Sequence, residues 1–412
     1  MKKALYWAFL MILVVMLLVV SQVALAKAKV NLSLVLITGH DPFKTVAENY
    51  MKENPNVIID VQLIPTEQFK TIIQAKFAAN DAPDIFPVFN EPQTYEYFSN
   101  GYIADLSKMT KIIRRMNPGA DSPLRTEDGK LFALPVEVQL IYAYYNRDMF
   151  KASGLTIPKT WDQFLSVCKT LKEKGLVPIA LGHKDSWVTQ MIPYALSASL
   201  VHHKDPKFLK LAMQAKAKYA DNPGWQDIMR KYKELITAGY IQDGSLSTSF
   251  EQALQMFATG KAGITVNGTW AMGTINDMKP QFAVGGFPVP PNAGDKPAAS
   301  ASINGGYTLS ARSKNLNEAR KFLEYMVSPK SLKIYLKDKG PSPFKDVQVD
   351  LSPAINEVVT LEKGMPMYNF DNWAMGVQDV FMRSIQELIA GTMTGAEALK
   401  AVDQATEKAN NR

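Results

Sequence analysis

The sequence predicts an α/β fold of two lobes, each a sheet flanked by helices. Length and composition are the first observation: 412 residues, 47% of them hydrophobic, favour two or three lobes over a single core. The second is an alternation of strand-like and helix-like segments near the amino end, which is typical of a sheet with helical connections. The third is that the pattern becomes mostly helical between Lys151 and Asn276, which separates this region from the first.

The amino-terminal elements alternate regularly. β-branched and leucine residues at 31–37 indicate a strand, and a segment with helical spacing of apolar residues follows it and stops at Asn54-Pro55. Continued along the chain, the alternation predicts a parallel sheet with strands at 31–37, 57–63 and 85–89 and helices at 43–54 and 66–79. Ligands of such sheets lie beyond the carboxyl ends of the strands. His40-Asp41 and Asn90-Glu91 follow two of those ends.

The remaining elements follow from the same patterns. Apolar residues at helical spacing predict helices at 161–174, 206–219, 224–238, 249–260 and 317–327, and further helices within 346–412. β-branched runs predict strands at 261–266 and 303–310, with a turn at 267–270 after the first of them. Residues 282–291 are rich in proline and glycine and are expected to form an extended crossover.

Charge and cysteine content exclude several classes of protein. The formal net charge is +7, but the basic residues are dispersed, and their densest cluster, Lys111 to Arg115, alternates with isoleucines as a solvated helix face would. A nucleic-acid partner is therefore not predicted. The only cysteine, Cys168, allows no intramolecular disulfide and lies on the apolar face of a predicted helix, where it is expected to pack.

The amino end has the pattern of a secretory signal peptide. Basic residues precede an apolar run from Ala4 to Val20, and Ala24-Leu25-Ala26 provides small residues for cleavage before Lys27. Residues 1–26 are expected to be removed, and the alternative is an uncleaved membrane anchor. No cysteine follows the cleavage point directly, so a lipid anchor is not supported. The expected location is periplasmic or extracellular.

No catalytic, metal or cofactor site is predicted. The four histidines, His40, His183, His202 and His203, are not spaced as metal ligands. A nucleophile elbow, a phosphate-binding loop and a dinucleotide-binding glycine motif are also absent from the sequence. Paired carboxylates for glycoside cleavage are not excluded, because their separation depends on the tertiary structure.

The segment from Asp128 to Phe164 carries a resemblance to a known family. It contains the sequence Gly-Lys-Leu-Phe-Ala-Leu-Pro, then Glu137 inside an apolar run, then the sequence Tyr-Asn-Arg-Asp, and finally Pro-Lys-Thr-Trp at the start of a predicted helix. This order resembles the family 1 extracellular solute-binding proteins of ABC importers, which include the maltose-binding protein. The Ala-Pro-Asp-Ile element at 82–85 and the segment 98–106 also resemble that family.

The resemblance implies a two-lobe periplasmic-binding-protein fold of type II, hinged by crossover strands. It implies an amino-terminal lobe of residues 27–138 and 289–330 and a carboxyl-terminal lobe of residues 139–288 and 331–412. Hinge crossovers are expected near Glu137 to Tyr142 and Phe282 to Val289. The implied function is capture of a sugar or oligosaccharide by a monomer that closes on it, followed by delivery to the transmembrane permease subunits of an ABC transporter, with no cofactor.

Sugar sites combine flat aromatic rings with carboxylates and amides, because sugars present apolar faces and hydroxyl groups. Trp187, Trp270 and Trp373 are the aromatic candidates, since each lies in or beside a loop. Asn267 and Trp270 belong to an Asn-Gly-Thr-Trp sequence that resembles the sugar-stacking turn of the family. Trp161 and Trp225 begin helices and are expected to pack in the core.

The polar candidates lie in the loops that the family uses. Glu137 corresponds to a hinge carboxylate in a Pro-Val-Glu sequence, and an ionised group inside an apolar run is costly unless something polar meets it. Structural roles are an alternative for some of the other candidates, since Gly305 and Gly306 can form a plain turn and Asp371 can cap a helix. The other candidates for ligand binding are His40, Asp41, Glu91, Gly305, Gly306, Asp371 and Asn372.

Two other functions remain open at this stage. A secreted carbohydrate-active hydrolase would use two of the carboxylates Asp41, Glu91, Glu137 and Asp371. A protein of the same fold could bind a solute other than a sugar, although the absence of an arginine cluster in these loops disfavours a phosphate ligand. The sequence does not identify the sugar.

Overall fold

The computed structural model describes residues 29–369, 373–374 and 376–411. The predicted signal peptide and the candidates Asp371 and Asn372 lie outside the described residues. The strands are β1 (Val30–Ile37), β2 (Val57–Ile64), β3 (Ile85–Phe89), β4 (Leu134–Pro135), β5 (Gln139–Asn146), β6 (Val177–Ile179), β7 (Ala262–Gly268), β8 (Val284–Phe287), β9 (Ala299–Ser302), β10 (Gly305–Leu309) and β11 (Met367–Tyr368).

Helices surround these strands. They are α1 (Pro42–Glu53), α2 (Thr66–Ala78), α3 (Pro92–Ser99), α4 (Thr110–Ile113), α5 (Arg147–Ala152), α6 (Trp161–Glu173), α7 (Met191–Ser197), α8 (Phe208–Met213), α9 (Pro223–Thr237), α10 (Phe250–Ala258), α11 (Ala271–Asp277), α12 (Leu316–Met326), α13 (Pro329–Leu336), α14 (Pro353–Leu361), α15 (Val377–Ala390) and α16 (Gly395–Asn410). Within the described part of the chain, no helix is both long and apolar enough to span a membrane.

The amino-terminal lobe contains a five-stranded sheet in the order β2-β1-β3-β10-β4. β1 pairs in parallel with β2 and β3, as predicted, and α1 covers the sheet with Phe43, Val46, Ala47 and Tyr50, which recur at helical spacing. The parallel prediction is confirmed for these three strands, and the sheet also contains an antiparallel strand. β10 runs antiparallel to β3 and β4, because it enters this sheet directly from β9 in the other lobe.

The second sheet belongs to the carboxyl-terminal lobe and has the order β11-β9-β5-β7-β6, with β8 also paired to β5. The first crossover between the sheets is residues 136–138, between β4 and β5, so the prediction that Glu137 lies in a crossover is confirmed. The second predicted crossover, Phe282 to Val289, is wrong. β8 in that segment pairs with β5 inside the second sheet, and the chain crosses instead at residues 303–304, between β9 and β10.

The two hydrophobic cores place the lobe limits differently from the prediction. Leu332, Tyr335, Phe344 and Val347 are buried in the core of the amino-terminal lobe, although residues 331–412 were predicted in the other lobe. β9 belongs to the second sheet, although residues from 289 onward were predicted in the first. α13 lies in the amino-terminal lobe because its apolar face packs on α1. The chain therefore returns to the carboxyl-terminal lobe in a third crossover, between α13 and α14.

Three local predictions also change. The helix predicted at 206–219 ends at Met213, and Ala215 adopts a positive φ of 55°, which a continuing helix does not allow. Asn267 and Gly268 belong to the end of β7 and not to a turn, because they pair with Tyr142 and Ile141 of β5. The strand predicted at 303–310 begins at Gly305, since residues 303–304 form the crossover.

Candidate ligand-binding site

A cavity of about 680 Å³ lies between the two lobes. The amino-terminal lobe lines it with the residues that follow β1 and β3 and with the first turns of α2 and α3. The carboxyl-terminal lobe contributes the 3₁₀ turn Ser186–Gln190, the start of α10, Trp270 and one face of α15. The cavity therefore lies where the sequence predicted it, beyond the carboxyl ends of the first parallel strands.

Polar side chains dominate the wall that the amino-terminal lobe provides. Thr38 follows β1, Asn90 and Glu91 follow β3, and Gln68 and Gln93 lie in the first turns of α2 and α3. The side-chain oxygen of Gln93 is buried and has no hydrogen-bond partner among the described residues. Amides, hydroxyls and carboxylates together both donate and accept hydrogen bonds, so this wall suits a ligand with many hydroxyl groups.

The opposite wall contains a cluster of aromatic side chains. The ring centroid of Trp187 lies 4.9 Å from that of Phe250 and 6.2 Å from that of Trp270. Trp187 and Trp270 are both partly exposed, and all three rings line the cavity. Partly exposed indole faces beside a polar wall are suited to stacking on the apolar face of a sugar ring.

Gly268 explains how the sequence positions Trp270. A Cβ atom at Gly268 would lie 2.0 Å from the nearest atom of the Trp270 ring, so the indole packs directly over the glycine backbone. The backbone carbonyls of Gly268 and Thr269 also accept hydrogen bonds from the Tyr144 hydroxyl, at 2.9 and 3.2 Å. The glycine of the Asn-Gly-Thr-Trp sequence therefore allows the indole to approach the backbone closely.

Trp373 lines the cavity but is mostly packed in the core. It is 7% exposed and stacks on Phe381 with ring centroids 4.9 Å apart. Its Nε1 donates to the Tyr194 hydroxyl at 2.7 Å, and that hydroxyl also contacts Gln190. Trp373 therefore orients Tyr194 and Gln190, which face the cavity with it.

Glu137 lies in the first crossover and lines the cavity. It is 4% exposed, and its Oε1 accepts a hydrogen bond from Nε2 of Gln139 at 2.9 Å. Its Oε2 is buried without a hydrogen-bond partner in the described part of the chain. Burial raises the pKa of Glu137, while Lys339, Gln139 and the Tyr335 hydroxyl act in the opposite direction. A buried oxygen of this kind is an available acceptor for a ligand hydroxyl.

His40 lines the cavity as a neutral imidazole. Its Nδ1 lies 2.8 Å from the Tyr307 hydroxyl, and its ring packs against Tyr335 at 5.5 Å between centroids. Burial, and to a smaller extent the charge of Lys339, lowers the pKa of His40 to about 3. The ring is therefore uncharged at neutral pH and recognises a ligand only through hydrogen bonding or packing.

Charged residues gather at the mouth of the cavity. Ser186 Oγ donates to Glu67 Oε1 at 3.2 Å, and Lys70 Nζ lies 3.9 Å from Asp379 Oδ2. Burial raises the pKa of Glu91, with a smaller opposing effect from Lys70. Glu67 is in the first turn of α2, where the helix dipole favours a carboxylate.

Eight of the twelve predicted site residues line the cavity: His40, Glu91, Glu137, Trp187, Trp270, Gly305, Gly306 and Trp373. Two predicted residues do not line it. The half-exposed Asp41 points to Lys44, with 3.2 Å between Oδ1 and Nζ, and Asn267 is 2% exposed within β7. Strand pairing fixes both glycines, since a Cβ at Gly306 would lie 2.1 Å from the Leu134 carbonyl oxygen.

Sequence reasoning missed several cavity residues, including Glu67, Lys70, Tyr194 and Gln378. Glu67 and Lys70 lie in the first turns of α2, the helix that follows β2, so the rule that selected the segments after β1 and β3 also points to this region. Tyr194 and Gln378 lie on helices and carry no local signal. Among the described residues, no group of three or more histidine, cysteine or acidic side chains is arranged to hold a metal ion.

The chain is similar to several characterised proteins. It is 26% identical over 329 residues to the multiple sugar-binding protein of Streptococcus mutans, covering 77% of this chain and 76% of that protein. It is 24% identical to the melibiose/raffinose/stachyose-binding protein of Bacillus subtilis, covering 76% and 72% of the two chains.

Solved structures share the fold. A chitin oligosaccharide binding protein superposes with a TM-score of 0.81 at 24% identity and covers 93% of this chain and all of its own. A sugar transporter from Bacillus licheniformis in complex with stachyose has a TM-score of 0.75 at 22% identity, covering 92% of this chain and all of its own. The family of bacterial extracellular solute-binding proteins matches residues 38–333. This protein therefore belongs to the bacterial extracellular solute-binding protein family.

Proposed function

We propose that this protein captures a sugar or oligosaccharide between its two lobes and delivers it to the permease subunits of an ABC transporter. The observation that carries the proposal is the arrangement of the cavity, with two neighbouring, partly exposed indoles on one wall and amides, a hydroxyl and a carboxylate on the other. Relatives named for binding sugars support the same ligand class. The binding residues we propose are His40, Glu91, Glu137, Trp187, Trp270 and Trp373, with backbone approach at Gly305 and Gly306.

Closure would occur about the three crossovers between the lobes. Two of them are short, residues 136–138 and 303–304, and the third is the longer segment between α13 and α14. Hinge closure of periplasmic binding proteins is a general mechanism for burying a ligand between lobes. The closed monomer would then dock on the permease, after a leader ending near Ala26 is removed on export. Amino-terminal sequencing of exported protein tests this cleavage, and intact Met1 in a membrane fraction would contradict it.

A thermal-shift screen across neutral mono- and oligosaccharides tests the ligand class. A sugar at a hundredfold excess over its dissociation constant should stabilise the folded protein by about 2.7 kcal/mol. Glycerol phosphate and a polyamine serve as ligands of other classes. Stabilisation by one of these, and by no sugar, would refute the proposal.

Product analysis separates a binding protein from a hydrolase. The bound glycan is incubated with stoichiometric protein and recovered, and we expect it unchanged. Cleavage that disappears in Glu137→Gln would instead assign the cavity to a glycoside hydrolase, since such enzymes depend on paired carboxylates.

A further inference from the structure

Lys339 is a buried lysine at the junction of the two lobes. It follows α13 in the third crossover and is 2% exposed. Its Nζ donates to the backbone carbonyl oxygen of Trp270 at 3.1 Å. A Cβ atom at Gly39 would lie 3.4 Å from this Nζ, and one at Gly273 would lie 3.2 Å from it. The ammonium group therefore occupies a space between the loop after β1 and the start of α11, which belong to different lobes.

A buried ammonium group is costly unless negative charge compensates for it. Burial lowers the pKa of Lys339, and the carboxylates of Glu137, Asp41, Asp338 and Asp277 act against that effect, with Glu137 the strongest of them. The relation is mutual, because Lys339 is the largest influence that opposes the raised pKa of Glu137. Each residue therefore favours the charged form of the other. The two segments are also in direct contact, since the backbone N–H of Val138 donates to the carbonyl oxygen of Pro341 at 3.0 Å.

The charge of Glu137 decides what it offers to a ligand. An ionised carboxylate only accepts hydrogen bonds, whereas a protonated one also donates. Its Oε2 is the oxygen without a partner among the described residues. Other polar groups that interact with Glu137 are Gln139, Tyr144, Tyr307 and Tyr335, and none of these four carries a positive charge that could replace Lys339.

We propose that Lys339 is a positioning residue of the binding site, whose ammonium group keeps Glu137 available as a hydrogen-bond acceptor and fastens the Trp270 backbone to the crossover. The role toward a ligand rests on the proposed function. It follows that the carboxylate acceptor and the stacking indole are coupled through one side chain that does not itself line the cavity. An acceptor at this position favours a ligand group that donates a hydrogen bond, such as a hydroxyl, over a ligand carboxylate.

The test needs no ligand, so its failure is distinguishable from failure of the sugar screen. Thermal unfolding is followed from about pH 5.5 to about pH 8 for the wild type, Lys339→Met, Glu137→Gln and the double variant. Without Lys339 the folded-state pKa of Glu137 rises further above its unfolded value. The stability that protonated Glu137 contributes to the folded variant is fully present below the unfolded-state pKa of Glu137. It is lost as the pH rises through the folded-state pKa of Glu137. Lys333→Met, on the exposed face of α13, is the matched control.

We expect the melting temperature of Lys339→Met to fall by several degrees more toward pH 8 than that of the wild type or the control, and Glu137→Gln to remove this pH dependence in the double variant. If Lys339→Met does not fold at neutral pH, recovery of a folded double variant supports the coupling equally. A decrease in melting temperature that is the same at every pH and persists in the double variant would overturn the proposal. A double variant that also fails to fold would overturn it as well.

Discussion

Ser186 Oγ donates a hydrogen bond to Glu67 Oε1 at 3.2 Å, and this contact joins the two lobes across the mouth of the cavity. Lys70 and Asp379 form a longer contact between the same lobes, at 3.9 Å. Exposed polar pairs of this kind contribute little free energy each. The described conformation therefore has lobes that already touch at the mouth, through contacts weak enough for hinge opening.

Acidification should favour this contact between the lobes. Burial raises the pKa of Glu67, and Asp185 and Asp379 on the other lobe add to the effect, while the hydrogen bond from Ser186 opposes it. A carboxyl group with a raised pKa in the closed form stabilises that form below its open-form pKa, and the effect is lost as the pH rises through the closed-form value. We expect the radius of gyration in solution scattering to decrease slightly as the pH falls toward about 5. Glu67→Gln should remove this dependence, and a pH profile unchanged by the substitution would contradict the assignment.

Trp270 should be the main stacking residue. Replacing it with alanine removes an indole that faces the cavity, and we expect Trp270→Ala to weaken sugar binding by roughly 1 to 4 kcal/mol. Isothermal titration with the best sugar from the thermal-shift screen measures the change. Tyr325→Ala, on a partly exposed aromatic residue of α12 away from the cavity, provides the control. Wild-type affinity in Trp270→Ala would remove this residue from the site.

Gly268→Ala should act through Trp270. The added Cβ would meet the indole at 2.0 Å, so the ring must move away from the backbone on which it packs. We expect weaker sugar binding and a change in tryptophan fluorescence. In a Trp270→Ala background the same substitution should have almost no further effect on affinity, because the two residues are coupled. Equal losses in both backgrounds would show that Gly268 acts independently of the indole.

Cys168 should be unreactive in the folded protein. The sequence predicted that it packs in the core, and the structure confirms this, since it is 0% exposed. Burial also raises the pKa of its thiol, and the thiolate is the reactive form. Titration with a thiol reagent should label less than a tenth of the native protein and about one thiol per chain after unfolding. Rapid labelling of native protein would mean that helix α6 opens locally.

Much of the fold was predictable from the sequence because the relevant signals are local. The strand at 85–89 agrees with β3 at both ends, and the helix predicted at 161–174 ends within one residue of α6. Hydrophobic spacing and helix-capping residues determine these elements without reference to distant parts of the chain. The family resemblance, carried by residues 128–164, also placed Glu137 correctly in a crossover.

Tertiary structure alone decided which polar residues meet. Asp41 and His40 are neighbours in sequence, yet His40 lines the cavity and Asp41 points to Lys44, because the start of α1 fixes the two directions. Lys339 lies in an unremarkable loop sequence far from Glu137 along the chain. Sequence patterns report the period of local structure, whereas the contact between Lys339 and the Trp270 backbone depends on how α13 packs against the first lobe and brings its carboxyl end to the hinge.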